Sequence, residues 1–159
     1  MMRIGQGIDF HRFCEGRPLI LGGEVIDYPL GLLGHSDADV LIHALCDALL
    51  GALGLGDIGE HYSDQDLRWE GLDSMVMLGE ILSRMDEMDY KIVNVDLVLL
   101  GQKPKLSPYK GKIKARLSEA MGIDIDRMNV KATTTEGMGD LGKEEGLGAS
   151  CVVLLQRKE

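Results

Sequence analysis

Hydrophobic and polar positions along this chain follow two periods. Between Gly34 and Leu53, residues Val40, Leu41, Ala44, Leu45, Ala48 and Leu49 recur at the three-to-four spacing of a helix with a core-facing stripe. Ser36, with Asp39 three residues on, reads as the capping-box-like start of that helix. Asp39, His43 and Asp47 stack at four-residue intervals on the remaining arc, a pattern that most often marks a solvated face. The stretch Arg3–His11 instead has period two. Ile4, Gln6, Ile8 and Phe10 share one face of a strand, and Gly5, Gly7, Asp9 and His11 share the other. Leu19–Ile26 reads as a hairpin turning at Gly22-Gly23, followed by a loop over Tyr28–Leu33. Leu72–Met88 carries a second amphipathic helix, and Ile92–Leu100 is a β-branched buried strand. A third helix opens at Ser107-Pro108 and stops at Gly122. Asn129–Glu136 and Ala149–Leu155 complete the predicted strands, with a glycine-rich turn between them. No internal repeat, linker or low-complexity tract divides the chain.

At 159 residues this is one domain by length, spanning 1–159, with enough chain for a core of Leu, Ile, Val, Ala and Met. A net charge of −9 argues against nonspecific nucleic-acid binding and against attraction to an anionic membrane. An anionic ligand would therefore need local cations, either metal ions or a few placed lysines. Cys14, Cys46 and Cys151 form no CxxC pair and leave an odd count, which fits a reducing compartment. With no signal-peptide pattern and no bilayer-length apolar run, the expectation is a cytoplasmic protein.

Candidate chemistry gathers at a few of these positions. Asp9 and His11 point the same way from one strand and could hold a cation, and His43 on the neighbouring helix completes a His₂–carboxylate set. Three protein ligands without a fourth is the pattern of a catalytic zinc site, the alternative being histidines hydrogen-bonded at the core edge. His35-Ser36 at a helix N-terminus offers an anion seat with an imidazole and a hydroxyl. Asp57, Asp64 and Asp66 among glycines read as an ordered polar loop over a site, or as a solvated acidic loop. Thr133, Thr134 and Thr135 could hold a phosphate or base and Glu136 a divalent ion, although threonines also simply favour strands.

Taken together, these residues resemble the 2-C-methyl-D-erythritol 2,4-cyclodiphosphate synthase family. The resemblance rests on RIGxGxDxHRF at Arg3–Phe13, LGHSDADVxxHAxxDALLGA at Leu33–Ala52 and LGDIGxHYxD at Leu55–Asp64. It continues through NVDxxxxxxxPKLxPY at Asn94–Tyr109 and NVKATTTEGMG at Asn129–Gly139. No single motif is decisive, but five in order over nearly the whole chain are highly specific. The family implies an α+β (mixed α/β) fold, a mixed β-sheet covered by helices, assembled as a homotrimer with active sites between subunits. It also implies closure of 4-diphosphocytidyl-2-C-methyl-D-erythritol 2-phosphate to the cyclic diphosphate with release of CMP. A zinc-dependent phosphohydrolase on the same residues is the rival enzyme, and a metal- or nucleotide-binding module without catalysis is the non-enzymatic alternative.

By the same resemblance Asp9, His11 and His43 look like zinc ligands, and Glu136 like the ligand of magnesium or manganese. His35 and Ser36 match the phosphate-binding pair, with His35 and Thr134 as transition-state stabilisers. Asp57 and Gly59 match contacts to the methylerythritol hydroxyls, beside the loop Tyr62–Asp66. Gly101, Lys103, Pro104, Lys105, Leu106 and Ser107, with Thr133–Thr135, match the cytidine side. Such chemistry needs positioning and charge neutralisation and no general base, because the attacking phosphate oxygen is already ionised. Two positions depart from the family. Asp140 stands where a large apolar residue is frequent and Lys143 where arginine is usual, both lining the trimer's central channel. An acid there repels an isoprenoid diphosphate, and Lys lacks the bidentate fork of Arg.

Overall fold

The period-two stretch at the start of the chain forms β1 (Met2–Cys14). In this computed structural model, which describes Met1–Glu159, β1 lies near one edge of a five-stranded sheet. The strands are β4 (Gly31–Leu32), β1, β7 (Gly146–Arg157), β5 (Tyr90–Leu100) and β6 (Met128–Thr133), in that spatial order. Only β5 and β6 run parallel; the other pairs are antiparallel. The fold is thus a mixed sheet with helices, as expected. The hairpin forms from β2 (Leu19–Leu21) and β3 (Glu24–Ile26), and turns at Gly22 and Gly23, both at positive φ. The loop expected over Tyr28–Leu33 contributes the short strand β4, which pairs with the end of β1.

Across β1 and β7 lies α1 (Val40–Leu53). The apolar residues of α1 do not occupy a stripe with a solvated arc opposite. Every residue except Asp47 and Gly51 is buried, including His43 at 5% exposure, and the Asp39 that caps the helix is at 0%. The solvated-face reading of Asp39, His43 and Asp47 is therefore corrected, because the helix is covered on that side too, partly by α3 (Ser74–Glu87). What lets α1 settle so low on the sheet is the absence of side chains on β1. A Cβ at Gly5 would stand 1.8 Å from the Ala48 carbonyl oxygen, and one at Gly7 2.0 Å from that of Ala44.

The helix also begins later than its sequence pattern reads. Its N-cap is Asp39, whose carboxylate accepts hydrogen bonds from the N–H groups of Ile42 (3.1 Å), Gly22 (2.9 Å) and Gly23 (2.7 Å). Ser36 is not the cap; its Oγ accepts from Ala38 N–H (3.1 Å) in the preceding turn. The chain's own carboxylate thus caps the positive end of the helix, and His35-Ser36 lie in the turn before it. The same bonds tie the β2–β3 turn to α1. Burial pushes the Asp39 carboxyl up to about 6, against the pull of three N–H donors.

Two smaller differences have local causes. Helix α4 (Lys110–Met121) starts after Ser107 and Pro108, because Leu106 C=O first accepts from Tyr109 and Lys110. It ends, as expected, at left-handed Gly122. Strand β6 stops at Thr133, opposite the last residue of β5, so Thr134–Glu136 leave the sheet as a turn. Two four-residue helices, α2 (Ile58–His61) and α5 (Gly139–Gly142), sit in the glycine-rich connections.

On the sheet face away from α1, Ile4 (73%), Ile8 (52%) and Phe10 (56%) are open to solvent. Gly7→Ala should lower stability by about 3 kcal/mol, since backbone and not a flexible side chain must yield. It should also weaken metal binding by moving His43 away from Asp9. Urea unfolding that shows a loss under ~0.5 kcal/mol would refute the close-packing account.

Candidate functional site

Three side chains from two elements converge above the C-terminal half of β1. Asp9 and His11 sit two residues apart and so share the face toward α1, while His43 descends from the first turn of that helix. Asp9 Oδ2 lies 2.8 Å from His11 Nε2 and 3.0 Å from His43 Nδ1, and the two ring nitrogens are 3.1 Å apart. A tetrahedral ion with bonds near 2.0–2.1 Å has ligand–ligand edges of about 3.3 Å, so this triangle is close to that of a bound zinc. The donor set, two imidazoles and one carboxylate on a closed triangle, fits the metal expected from sequence.

The ring orientations agree with that fit. His11 Nδ1–H donates to Leu33 C=O (2.8 Å), which leaves the Nε2 lone pair facing the triangle. His43 is turned the other way, with Nδ1 facing Asp9 and Nε2 facing Ser74 Oγ (3.0 Å) and Ser36 Oγ (3.1 Å). Burial disfavours the charged form of Asp9, but the His11 and His43 rings against its carboxylate prevail and bring it down to about 2. Burial likewise works against a proton on His11, yet the Asp9 hydrogen bond and charge raise its pKa above the ordinary value.

The triangle opens onto a cleft of about 370 Å³, lined on the near side by Gly34, His35 and Ser36 and on the far side by Gly59, Tyr62 and Trp69. His35 is held at both ends: its Nε2 is 3.2 Å from Asp66 C=O, and its own carbonyl accepts from Gly71 N–H (2.8 Å). The Arg17 guanidinium donates to Gly34 C=O (2.6 Å) and Ser36 C=O, clamping the two carbonyls that flank His35. Ser36 Oγ already accepts from Ala38 N–H and faces His43 Nε2, so its own proton is free to donate into the cleft. Asp57 is engaged as the N-cap of α2, where it accepts from Glu60 N–H, and presents neighbouring Gly59 to the cleft. Asp66 caps the 3₁₀ turn Leu67–Trp69 and pairs with Arg68, and reaches the site through its carbonyl.

The remaining expected site residues form a second cluster elsewhere. Gly101 N–H donates to Thr133 C=O (3.0 Å) and Thr135 N–H to Gln102 Oε1 (3.0 Å), which brings the Gly101–Ser107 loop beside the threonines. Thr134 Oγ1 donates to Glu136 Oε1 (3.2 Å), and Glu136 sits at φ 53°. Lys103 pairs with Glu144 (3.2 Å), and Lys105 and Ser107 are exposed, but the Leu106 side chain is buried. None of these residues lines the cleft. Asp9 is in register with Ala149, Ala149 with Leu99, and Leu99 with Ala132. Three strand spacings, roughly 14 Å, separate the clusters within one chain. Asp140 borders a second hollow of about 400 Å³ with Phe10, Arg12 and Glu145, which shares His11 with the cleft, and Lys143 is exposed next to α5.

A family model described as the YgbB family matches residues 2–156. The chain belongs to the YgbB family. A 2-C-methyl-D-erythritol 2,4-cyclodiphosphate synthase of Bacillus cytotoxicus is 51% identical over 158 residues, covering 99% of this chain and 100% of that protein. One of Geobacillus thermodenitrificans is 51% identical over 159 residues, covering 100% and 99%. Among solved structures, a CDP-bound 2C-methyl-D-erythritol-2,4-cyclodiphosphate synthase superposes with a TM-score of 0.89 at 43% identity, over 97% of this chain and 100% of that one. The bifunctional IspDF of Campylobacter jejuni gives 0.96 at 40% identity, covering 100% of this chain and 43% of that longer one.

Sequence reasoning missed Trp69, Arg17, Asp37 and Ser74 in this YgbB-family site. Trp69 is the one tryptophan in the chain, a signal that could have drawn attention. The other three act through contacts that no periodicity reveals.

Metal binding here should weaken at low pH. Asp9 stays ionised to about 2, and a proton on His11, whose pKa is raised by Asp9, competes with the metal. Below that pKa the metal must displace one proton, and zinc affinity should fall roughly tenfold per pH unit, as read by chelator competition. A flat profile from mildly alkaline to mildly acidic pH would exclude His11 as a ligand.

Proposed function

We propose that this YgbB-family chain converts 4-diphosphocytidyl-2-C-methyl-D-erythritol 2-phosphate into 2-C-methyl-D-erythritol 2,4-cyclodiphosphate and CMP, in the cytoplasm. The observation that carries this reading is the Asp9–His11–His43 triangle opening onto a cleft whose wall is His35-Ser36. Full-length relatives named for that activity at about half identity support it over the phosphohydrolase rival.

Asp9, His11 and His43 would hold zinc and Glu136 would contribute to a magnesium or manganese site, ions that would polarise the diphosphate and offset its charge. Ser36 donates its free hydroxyl proton to a phosphate oxygen at the cleft wall, and His35, its Nε2 on Asp66 C=O and its backbone carbonyl on Gly71 N–H, donates from Nδ1 when the ring is protonated. These donors act most strongly where charge builds up as the 2-phosphate oxygen approaches the β-phosphorus and CMP departs. Gly59 and the Tyr62–Asp66 stretch bound the methylerythritol end of the cleft. No side chain need remove a proton, because the attacking oxygen is already an anion. Thr133–Thr135 and the Gly101–Ser107 loop take the cytidine end, with Lys105, and Lys103 on exchanging Glu144 for substrate, supplying positive charge to an otherwise acidic protein.

Two observations support a homotrimer whose sites combine residues of neighbours. The threonine–Glu136 cluster is too far across the sheet to close over the Asp–His triangle of its own chain. The outer sheet face carries an apolar patch, Ile4, Ile8 and Phe10, of the kind that oligomerisation covers. A ring of heterologous contacts sets the front of one subunit against the back of the next.

Incubation with the substrate should release CMP and a cyclic diphosphate visible by phosphorus NMR; free phosphate in its place would support the hydrolase. His43→Ala should abolish turnover while the fold survives. His43→Ala and Glu136→Ala, each inactive alone, should regain roughly a quarter of wild-type activity after subunit exchange, since about one site in four then pairs an intact front with an intact back. No recovery after proven exchange would place the whole site within one chain.

A further inference from the structure

Ser74 is the first residue of α3 and is at 0% exposure, yet its hydroxyl faces two polar groups. Its Oγ is 3.0 Å from His43 Nε2 and in hydrogen-bond contact with Asp37 Oδ1. Asp37 in turn accepts from the backbone N–H of Ser74 (3.0 Å) and of Asp39 (3.1 Å). The carboxylate therefore has only donors around it, and the proton between Asp37 and Ser74 must come from the serine. That leaves the Ser74 oxygen as an acceptor toward His43. The opposite arrangement, with Ser74 donating to His43, would set two acceptor oxygens in contact in a buried site. The proton count thus places hydrogen on His43 Nε2, and in the neutral ring that leaves the lone pair on Nδ1.

This assignment matters because Asp9 pulls the other way. Its Oδ2 is 3.0 Å from His43 Nδ1 and would favour a proton on that nitrogen. A proton there would occupy the position from which His43 binds a metal. Ser36 cannot hold the orientation alone, since its Oγ is also taken up by Ala38 N–H and lies at the cleft wall.

We propose that Ser74 and Asp37 are positioning residues that lock His43 in its metal-binding tautomer, Asp37 orienting the serine and the serine accepting from Nε2–H. The proposal rests on the metal-site reading for its consequence, but the tautomer itself can be read in metal-free protein. In the metal-free wild type at mildly alkaline pH, the nitrogen shifts of His43 should report hydrogen on Nε2. Ser74→Ala should move the ring to a mixture with, or a majority of, hydrogen on Nδ1. Asp37→Asn should do the same, because an amide N–H facing Ser74 turns the hydroxyl toward His43. Zinc affinity by chelator competition should drop about 10–100-fold in both variants.

Asp73→Ala provides the structural control. Asp73 caps the same helix end by accepting from Met75 N–H, without touching His43. It should lower thermal stability while leaving the tautomer and zinc affinity near wild type. An equal loss of affinity in Asp73→Ala would overturn the proposal in favour of a general loosening of α3. So would a Ser74→Ala variant that keeps both the Nε2 proton and wild-type affinity. Should the variants fail to fold, hydrogen on Nδ1 in the wild type alone would overturn it. A wild type with the expected tautomer but no zinc binding would refute the metal reading and leave the relay standing.

Discussion

The closeness of α1 to β1 sets what the rest of this molecule can do. His43 reaches the Asp9 carboxylate only because β1 presents bare backbone at Gly5 and Gly7 beneath the helix. With side chains there the helix would ride higher, and two imidazoles and a carboxylate could not close to a triangle of about 3 Å. The apolar residues of α1 supply the hydrophobic driving force for that approach, and the glycines set its distance. A packing decision at one end of the strand thus becomes a chemical one at the other.

The short segment between Gly34 and Asp39 converts this packing into a site. It makes almost no regular structure, and its geometry comes from side chains bonding to nearby backbone. Arg17 holds the carbonyls of Gly34 and Ser36, Asp37 holds the start of α3, and Asp39 caps α1 while anchoring the β2–β3 turn. Ala38 is forced to φ 56° in consequence, a left-handed conformation that an alanine adopts only when its surroundings dictate it. The result is a rigid wall on which His35 and Ser36 face the cleft with little freedom left to lose on binding.

Electrostatics follow the same economy. The chain carries a net charge of −9, yet the reaction proposed for it gathers several phosphates. Neutral and cationic groups are concentrated where they are needed: two imidazoles at the triangle, a free serine proton at the wall, and Lys103 and Lys105 on the far edge of the sheet. Separation of these groups by three strands makes an assembly of several chains the simplest way to surround one substrate.

The sequence by itself determined the element types and the membership of the Asp9–His11–His43 triangle. Period-two and helical spacing are local properties, and they placed Asp9, His11 and His43 on elements that had to pack. The five motifs of the family resemblance, by the same token, are contiguous stretches. What the tertiary structure decided is everything set by contacts between distant segments. It moved the helix start from Ser36 to Asp39, because the partners of Asp39 lie in a hairpin seventeen positions earlier. It buried the Asp39–His43 face, because α3 packs over it, and it withdrew Leu106 into the core. It recruited Arg17, Asp37 and Ser74 to the site through contacts that no spacing along the chain encodes. It also split the site residues into two clusters, a separation fixed by strand order, which no spacing along the chain encodes.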